Sequence, residues 1–352
     1  MLFCFSNIFL ISTGMLYFLK PQSANGRIIV WKTSLKMIAD KPLTGFGKGG
    51  FAANYMYYQA EYMKSSASSR EKRLAGSTHM AFNEPLRITV EYGFIGLFIY
   101  VIFVIWILYP PKRQNFVIII SKSLLAGIIM WGMFAYPDMV FPVCVLWVIG
   151  IICILNKKTE KTYIIFIHNK CFQTVATVIY CCIIVFLVGK LEIKWQSYHG
   201  LYEGIKIHHS HNISKYAGYL AQYKEEMQDD IGFLYLYCQI VKAAHIDMEF
   251  LNTVLLLERC FPTSNLFMIK GDYLKEKGLW SDAEEDYKLA VNMEPSLQSP
   301  RARLAILYNE MGRKKEALII VREILTEDIK IYSFDTFKLH RDLKRIFEGQ
   351  LK

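Results

Sequence analysis

Between residues 20 and 90 the chain carries eleven basic residues (Lys20, Arg27, Lys32, Lys36, Lys41, Lys48, Lys64, Arg70, Lys72, Arg73 and Arg87) against four acids (Asp40, Glu61, Glu71 and Glu84). An excess of that size on one segment suits an anionic ligand such as a phosphate or diphosphate. It equally suits attraction to anionic lipid headgroups. Lys48 and Arg87 are candidate diphosphate ligands by charge and placement. Gly45-Phe46-Gly47-Lys48-Gly49-Gly50 reads as a close-approach turn, but the spacing of a nucleotide-phosphate loop is absent. His208, His209 and His211 have no carboxylate or cysteine partner at a defined spacing, and no C-x-x-C occurs, so no metal and no cofactor is expected.

The elements that must position these residues belong to a membrane protein. Of the 352 residues, 53% are apolar or aromatic and 20% charged, with mean hydropathy +0.22, which is too apolar for an ordinary soluble enzyme. The formal charge of +10 comes without any basic-aromatic nucleic-acid module, so no nucleic-acid partner is expected. Cys4, Cys144, Cys153, Cys171, Cys181 and Cys182 lie in apolar runs and form no secreted disulfide framework.

Five stretches, 1–19, 92–109, 116–135, 139–155 and 171–189, approach the roughly 20 residues a spanning helix needs. Segment 1–19 has neither a basic n-region nor a small-residue cleavage site and reads as an uncleaved span. Lys122 interrupts the third stretch near its end, from where it can snorkel. Lys112 and Arg113 mark one short loop as cytoplasmic, and Lys157, Lys158, Lys161 and Lys170 mark another. The turn Ala135-Tyr136-Pro137-Asp138 between them is external, and so are loop 20–91 and everything after about Lys190. Within the loop, Ile28 to Trp31 with Leu35, Met37 and Ile38 predicts an amphipathic interfacial helix that stops at Pro42.

Four strings, in order, carry a resemblance: Gly26-Arg27-Ile28-Ile29-Val30-Trp31, Lys41-Pro42-Leu43-Thr44-Gly45-Phe46-Gly47, Phe82-Asn83-Glu84-Pro85-Leu86 and Glu91-Tyr92-Gly93-Phe94-Ile95-Gly96-Leu97. Together they resemble the signature region of the O-antigen ligase and Wzy-type polymerase superfamily of polytopic membrane glycosyltransferases. The resemblance implies metal-independent, inverting transfer of a glycan from an undecaprenyl-diphosphate carrier to lipid A-core, another glycan or a protein. It also implies a bacterial inner-membrane location with the loop in the periplasm.

Carried over by position, Arg27 would hold the donor diphosphate, for which a guanidinium fork is suited. Asn83 and Glu91 match the family's Asn and the Glu before the next span; as alternatives, Arg27 snorkels at a span end and Glu91 sits favourably at a helix N-terminus. The departure is Phe82, where many ligases carry a histidine proposed to activate the acceptor, because Phe cannot accept a proton. His79, three residues earlier, would share a face with position 82 if that stretch were helical. Glu84 is the alternative acid/base. Family members also have more spans before the loop, so the chain looks like the C-terminal part of such an enzyme.

From about Trp195 the sequence turns polar and repetitive. Gly271, Gly278, Ala283, Tyr287, Ala290 and Pro295 recur 34 residues later as Ala305, Gly312, Ala317, Val321, Ile324 and a lost proline, which matches the tetratricopeptide period. Two repeats rarely stand alone, so residues 199–262 are expected to add degenerate hairpins, with Phe233, Leu236, Tyr237 and Ile240 on one helix face and Leu251, Val254 and Leu255 on the next. A capping helix is expected over Lys338 to Leu351.

The fold expected is all-α: a polytopic bundle of about five spans (1–194, with external loop 20–91), then a tetratricopeptide-type α-solenoid (195–352, with repeats 264–297 and 298–331). The functional expectation is an O-antigen ligase-like glycosyltransferase, its partners the lipid-linked donor, the acceptor, membrane lipids and a protein on the repeats. The competing expectation is a non-catalytic membrane-anchored scaffold or truncated relic. A transporter is disfavoured, since no span carries the ionisable residues of a pathway. Ligase and polymerase share these motifs.

Overall fold

The computed structural model describes residues 21–110, 116–155, 189, 192–200, 202, 213–228, 230–329 and 333–350. Span 1–19, nearly all of 171–189, Lys20 and the three histidines at 208, 209 and 211 lie outside the described residues. Among those described, every regular element is a helix.

The membrane half supplies α1 (Pro21–Asp40), α2 (Gly50–Ser65), α3 (Ser69–Leu74), α4 (Glu84–Leu108), α5 (Phe116–Gly132) and α6 (Phe141–Leu155). Helix α4, with 25 residues and almost no charge after Glu91, is long and apolar enough to cross a membrane, and Phe94, Phe98, Ile102 and Ile105 are exposed along it. It begins eight residues before the expected span because Asn83 caps it. Helices α5 and α6 coincide with expected spans but hold 17 and 15 residues. Lys122 donates to the carbonyls of Trp106 (3.1 Å) and Tyr109 (2.6 Å). It thus neutralises the negative end of α4.

The later elements are α7 (Ile213–Ala221), α8 (Ile231–Ala243), α9 (Asp247–Cys260), α10 (Ser264–Glu276), α11 (Trp280–Met293), α12 (Gln298–Glu310), α13 (Lys314–Thr326) and α14 (Phe334–Ile346). The chain divides into two compact units. One holds Met1–Arg113, Lys122–Trp147 and Glu258–Lys352; the other holds Gln114–Ser121 and Val148–Leu257.

In the second unit α8 buries Phe233, Tyr237 and Ile240 as the spacing predicts, with Leu236 only half-buried. On α9 the buried stripe is Phe250, Thr253, Val254 and Leu257, while Leu255 is exposed. The expected face is therefore rotated, because the i, i+3, i+4, i+7 stripe that starts at Phe250 buries the largest ring.

In the first unit the 34-residue period is visible in the hydrogen bonds. Ser264 Oγ donates to Ala290 O (3.1 Å), and Gln298 Nε2 donates to Ile324 O (3.4 Å), each partner displaced by one period. Gly278 and Gly312 take φ of +76° and +78° at the two hairpin turns, the left-handed region glycine accepts without penalty. Small residues set the helix spacing: a Cβ on Gly271 would stand 2.6 Å from the Tyr287 ring. One period on, Ala305 and the smaller Val321 hold the corresponding positions, both buried in one core. Helix α14 starts at Phe334 behind its cap Ser333, four residues before the expected start, and Leu343 and Phe347 are buried in the second hairpin's core.

The first hairpin shares a core with the loop. Phe51, Tyr55, Met56 and Ala60 of α2 pack with Phe267 and Met268 of α10 and Ala290 and Met293 of α11, alongside Val30, Met37 and Ile38 of α1. The apolar face of α1 thus closes on protein, and Ile28, Lys32, Leu35 and Lys36 form its exposed side.

Candidate functional site

The site is built where α4 breaks. Gly93 takes φ +65°, ψ −166° inside the helix, which leaves carbonyls before it and amides after it without helical partners. The turn after Pro42 fills both sets. Phe46 and Gly47 N–H donate to the carbonyls of Val90 (2.9 Å) and Glu91 (2.8 Å), while Phe94 and Ile95 N–H donate to Pro42 O (2.8 Å) and Leu43 O (3.4 Å). The approach is close enough that a Cβ on Gly93 would lie 2.1 Å from Leu43 O, and one on Gly45 would lie 2.5 Å from Glu91 C.

This geometry gives the glycine turn a structural task. Gly45 and Gly50 amides bond within the turn, and the Gly49 amide donates to Glu91 Oε1 at 3.1 Å. Amides committed to protein oxygens do not cradle a phosphate. Lys48 is exposed at the turn's surface.

Asn83 accepts from Leu86 N–H (2.9 Å) as the α4 cap, and its amide donates to Met133 O (3.1 Å). Glu84, Arg87 and Glu91 follow at i, i+3 and i+7 as an ion ladder, with Arg87 2.6 Å from Glu84 and 3.3 Å from Glu91. Glu91 is buried; its two oxygens divide between the Gly49 amide and the Arg87 guanidinium.

Arg27 lies in the second turn of α1, and its guanidinium carbon sits 5.5 Å from the centre of the Phe82 ring. Phe82 adopts φ +52° and is held edge-on by Tyr136 at 5.8 Å; beside it Trp31 Nε1 donates to Ala81 O (3.1 Å). A non-glycine residue in that conformation stays only where its surroundings fix it. Arg27 and Phe82 line a cavity of about 220 Å³ with Gly26, Gln59, Ser77 and Thr78. Arg27 makes no ion pair among the described residues.

His79 is elsewhere. Residues 75–83 are not helical, so positions 79 and 82 do not share a face, and His79 packs edge-on against Phe261 at 5.3 Å. Burial holds its imidazole below the usual histidine range. Several loop cations are engaged by protein: Lys32 pairs with Glu71 (2.7 Å), Lys36 rests over Tyr62 and Lys41 over Phe46. Lys32 and the Ser68 amide lower the Glu71 carboxyl to about 2.

Sequence reasoning missed Gln59. It is buried at 1% exposure, accepts from Tyr55 O–H (2.7 Å) and donates to Gly76 O (3.1 Å) and Met293 O (2.7 Å). Its signal was present: Tyr55, Gln59 and Met63 fall at i, i+4 and i+8, an amide on an apolar stripe.

Among the described residues every regular element is a helix, and a basic loop is hydrogen-bonded to the start of one helix long and apolar enough to cross a membrane. Residues 1–101 match the family model described as O-Antigen ligase, and Arg27, Lys48, His79, Asn83, Glu84, Arg87 and Glu91 all fall within the matched stretch. That match supports a membrane-integral, ligase-type relationship for the N-terminal part, in a family that works on lipid-linked glycans and their acceptors. No curated protein matches the chain.

Proposed function

We propose that the chain is an O-antigen ligase-like glycosyltransferase of the bacterial inner membrane. It transfers a glycan from an undecaprenyl-diphosphate carrier to lipid A-core, a polysaccharide or a protein, with loop 20–91 and the tetratricopeptide-type repeats in the periplasm. The observation that carries the reading is Arg27. Contact with the Phe82 ring leaves guanidinium N–H groups open to the cavity, where a diphosphate would gain charge-assisted hydrogen bonds.

In this reaction an acceptor oxygen attacks the anomeric carbon of the first sugar and the bond to phosphate breaks. Undecaprenyl diphosphate leaves with that bonding pair, and Arg27 stabilises its charge. The acceptor proton goes to a base, for which Glu84, Glu91 and His79 are the candidates. Lys48, Arg87 and Asn83, the last also the cap of α4, are further diphosphate ligands. The repeat assignment is supported by hydrogen bonds that recur at 34 residues.

A second reading, a non-catalytic membrane-anchored scaffold, is favoured by Phe82 and by the mutual closure of Glu84, Arg87 and Glu91. The deciding assay is glycan transfer by the full chain in a strain without its own ligase. Transfer that falls about 100-fold in Arg27→Ala and partly recovers in Arg27→Lys supports the enzyme. Transfer unchanged in Arg27→Ala overturns the assigned role, and no transfer by the unmodified chain favours the scaffold.

A further inference from the structure

A second and larger cavity, of about 570 Å³, lies between α3 and the ends of the repeat helices, within the volume range of ligand sites. It meets the Arg27 cavity along one wall, since Ala75 and Gly76 line both. That wall is fixed from the repeat side. Gln59 holds Gly76 O and Met293 O together, and Ser296 Oγ lies 3.5 Å from Ala75 O.

The chemistry of the lining selects a ligand class. Among the described residues two cations, Lys72 and Arg73, share the lining with four carboxylates, Glu294, Glu327, Asp328 and Asp335, a balance unsuited to phosphate. Hydroxyl groups of Ser69, Ser296, Ser299 and Thr336 share the lining with these carboxylates. A lining that holds both donors and acceptors matches a polyhydroxylated chain, whose hydroxyl groups both donate and accept.

We propose that this cleft binds the glycan chain of a substrate and delivers its reacting end across the Ala75–Gly76 wall to Arg27. The inference rests on the glycan-transfer reading, and binding is measured apart from transfer. The probe is the pool of oligosaccharides released by acid from the envelope of the bacterium carrying the gene, added to the full chain in detergent and followed by saturation-transfer NMR. Ser69→Trp and Arg73→Ala, at exposed positions of α3, test the cleft, with the thermal midpoint as the folding control.

Saturation transfer to sugar protons that falls at least tenfold in Ser69→Trp and severalfold in Arg73→Ala, at unchanged midpoints, is the expected result. Binding is expected to persist in Arg27→Ala, because the released oligosaccharides carry no diphosphate for Arg27 to hold, and binding lost in that variant would overturn a cleft distinct from the Arg27 cavity. No saturation transfer, equal binding in both cleft variants, or displacement by a mixed peptide pool at lower concentration overturns the proposal. Binding that obeys these expectations in a chain without transfer activity upholds the cleft and removes the transfer reading instead.

Discussion

Gly271 and Tyr287 stand so close that a single methyl added to the glycine would meet the ring at 2.6 Å, whereas one period later Ala305 already carries that methyl and Val321 holds the ring's position in the same core. The two hairpins solve one spacing with complementary volumes, small against large and then medium against medium.

Exchange of those volumes is therefore testable. Gly271→Ala is expected to cost about 1–3 kcal/mol through overpacking. Tyr287→Val alone leaves a void and removes the O–H that Asp272 Oδ1 now accepts at 2.6 Å, leaving that oxygen to Arg303 Nε at 3.0 Å. The double variant is expected to be more stable than the sum of the two single losses by about 1 kcal/mol or more, read from denaturant midpoints in a double-mutant cycle. Strict additivity would dismiss the shared-volume account.

The break in α4 makes Gly93 irreplaceable. Gly93→Ala combines left-handed strain with a contact of 2.1 Å to Leu43 O, and a loss of at least about 2 kcal/mol is expected. Gly47→Ala, at φ +84° with open space around it, pays the strain alone and is expected to lose about half as much. Thermal unfolding in detergent compares the two, and equal losses would remove the steric argument.

Gln59 ties the loop to the repeats. Gln59→Leu leaves Gly76 O, Met293 O and the Tyr55 hydroxyl without their partner, and about 2–4 kcal/mol of stability is expected to go. Limited proteolysis near Gly76 is expected to accelerate in the same variant. Wild-type cleavage rates would count against the tie.

Asp286 offers a pH signature. Burial pushes its carboxyl up to about 6 despite Lys270 at 3.5 Å, and its Oδ2 has no hydrogen-bond partner. Since the folded value lies above the ordinary 3.8, the folded state binds the proton more tightly. Its contribution to stability is present below about 4 and is lost as pH rises through 6. Asp286→Asn is expected to remove that fall and to gain on the order of 1 kcal/mol at pH 7.5. A variant with the wild-type slope between pH 4 and 6 would assign the slope to other groups.

Much of the helix pattern was legible because it is local. Apolar runs fix α4, α5 and α6, the 34-residue period fixes four helices, and Pro42 limits α1 to Asp40. The chemistry-bearing candidates were legible as residue types, yet their relations were not. Sequence spacing linked His79 to Phe82 only through a helix that does not form, since residues 75–83 run as an irregular segment in which Phe82 takes φ +52°.

What the sequence alone determined is the class of element at each position and the charge of the loop, since periodicity, caps and composition act within a few residues. Only the tertiary structure decided which groups meet. Glu91 meets Gly49 across 42 positions, Arg27 meets Phe82, and Gln59 meets Met293 across 234. Such contacts depend on how apolar stripes from distant segments share one core, and no local pattern encodes the partner of a stripe.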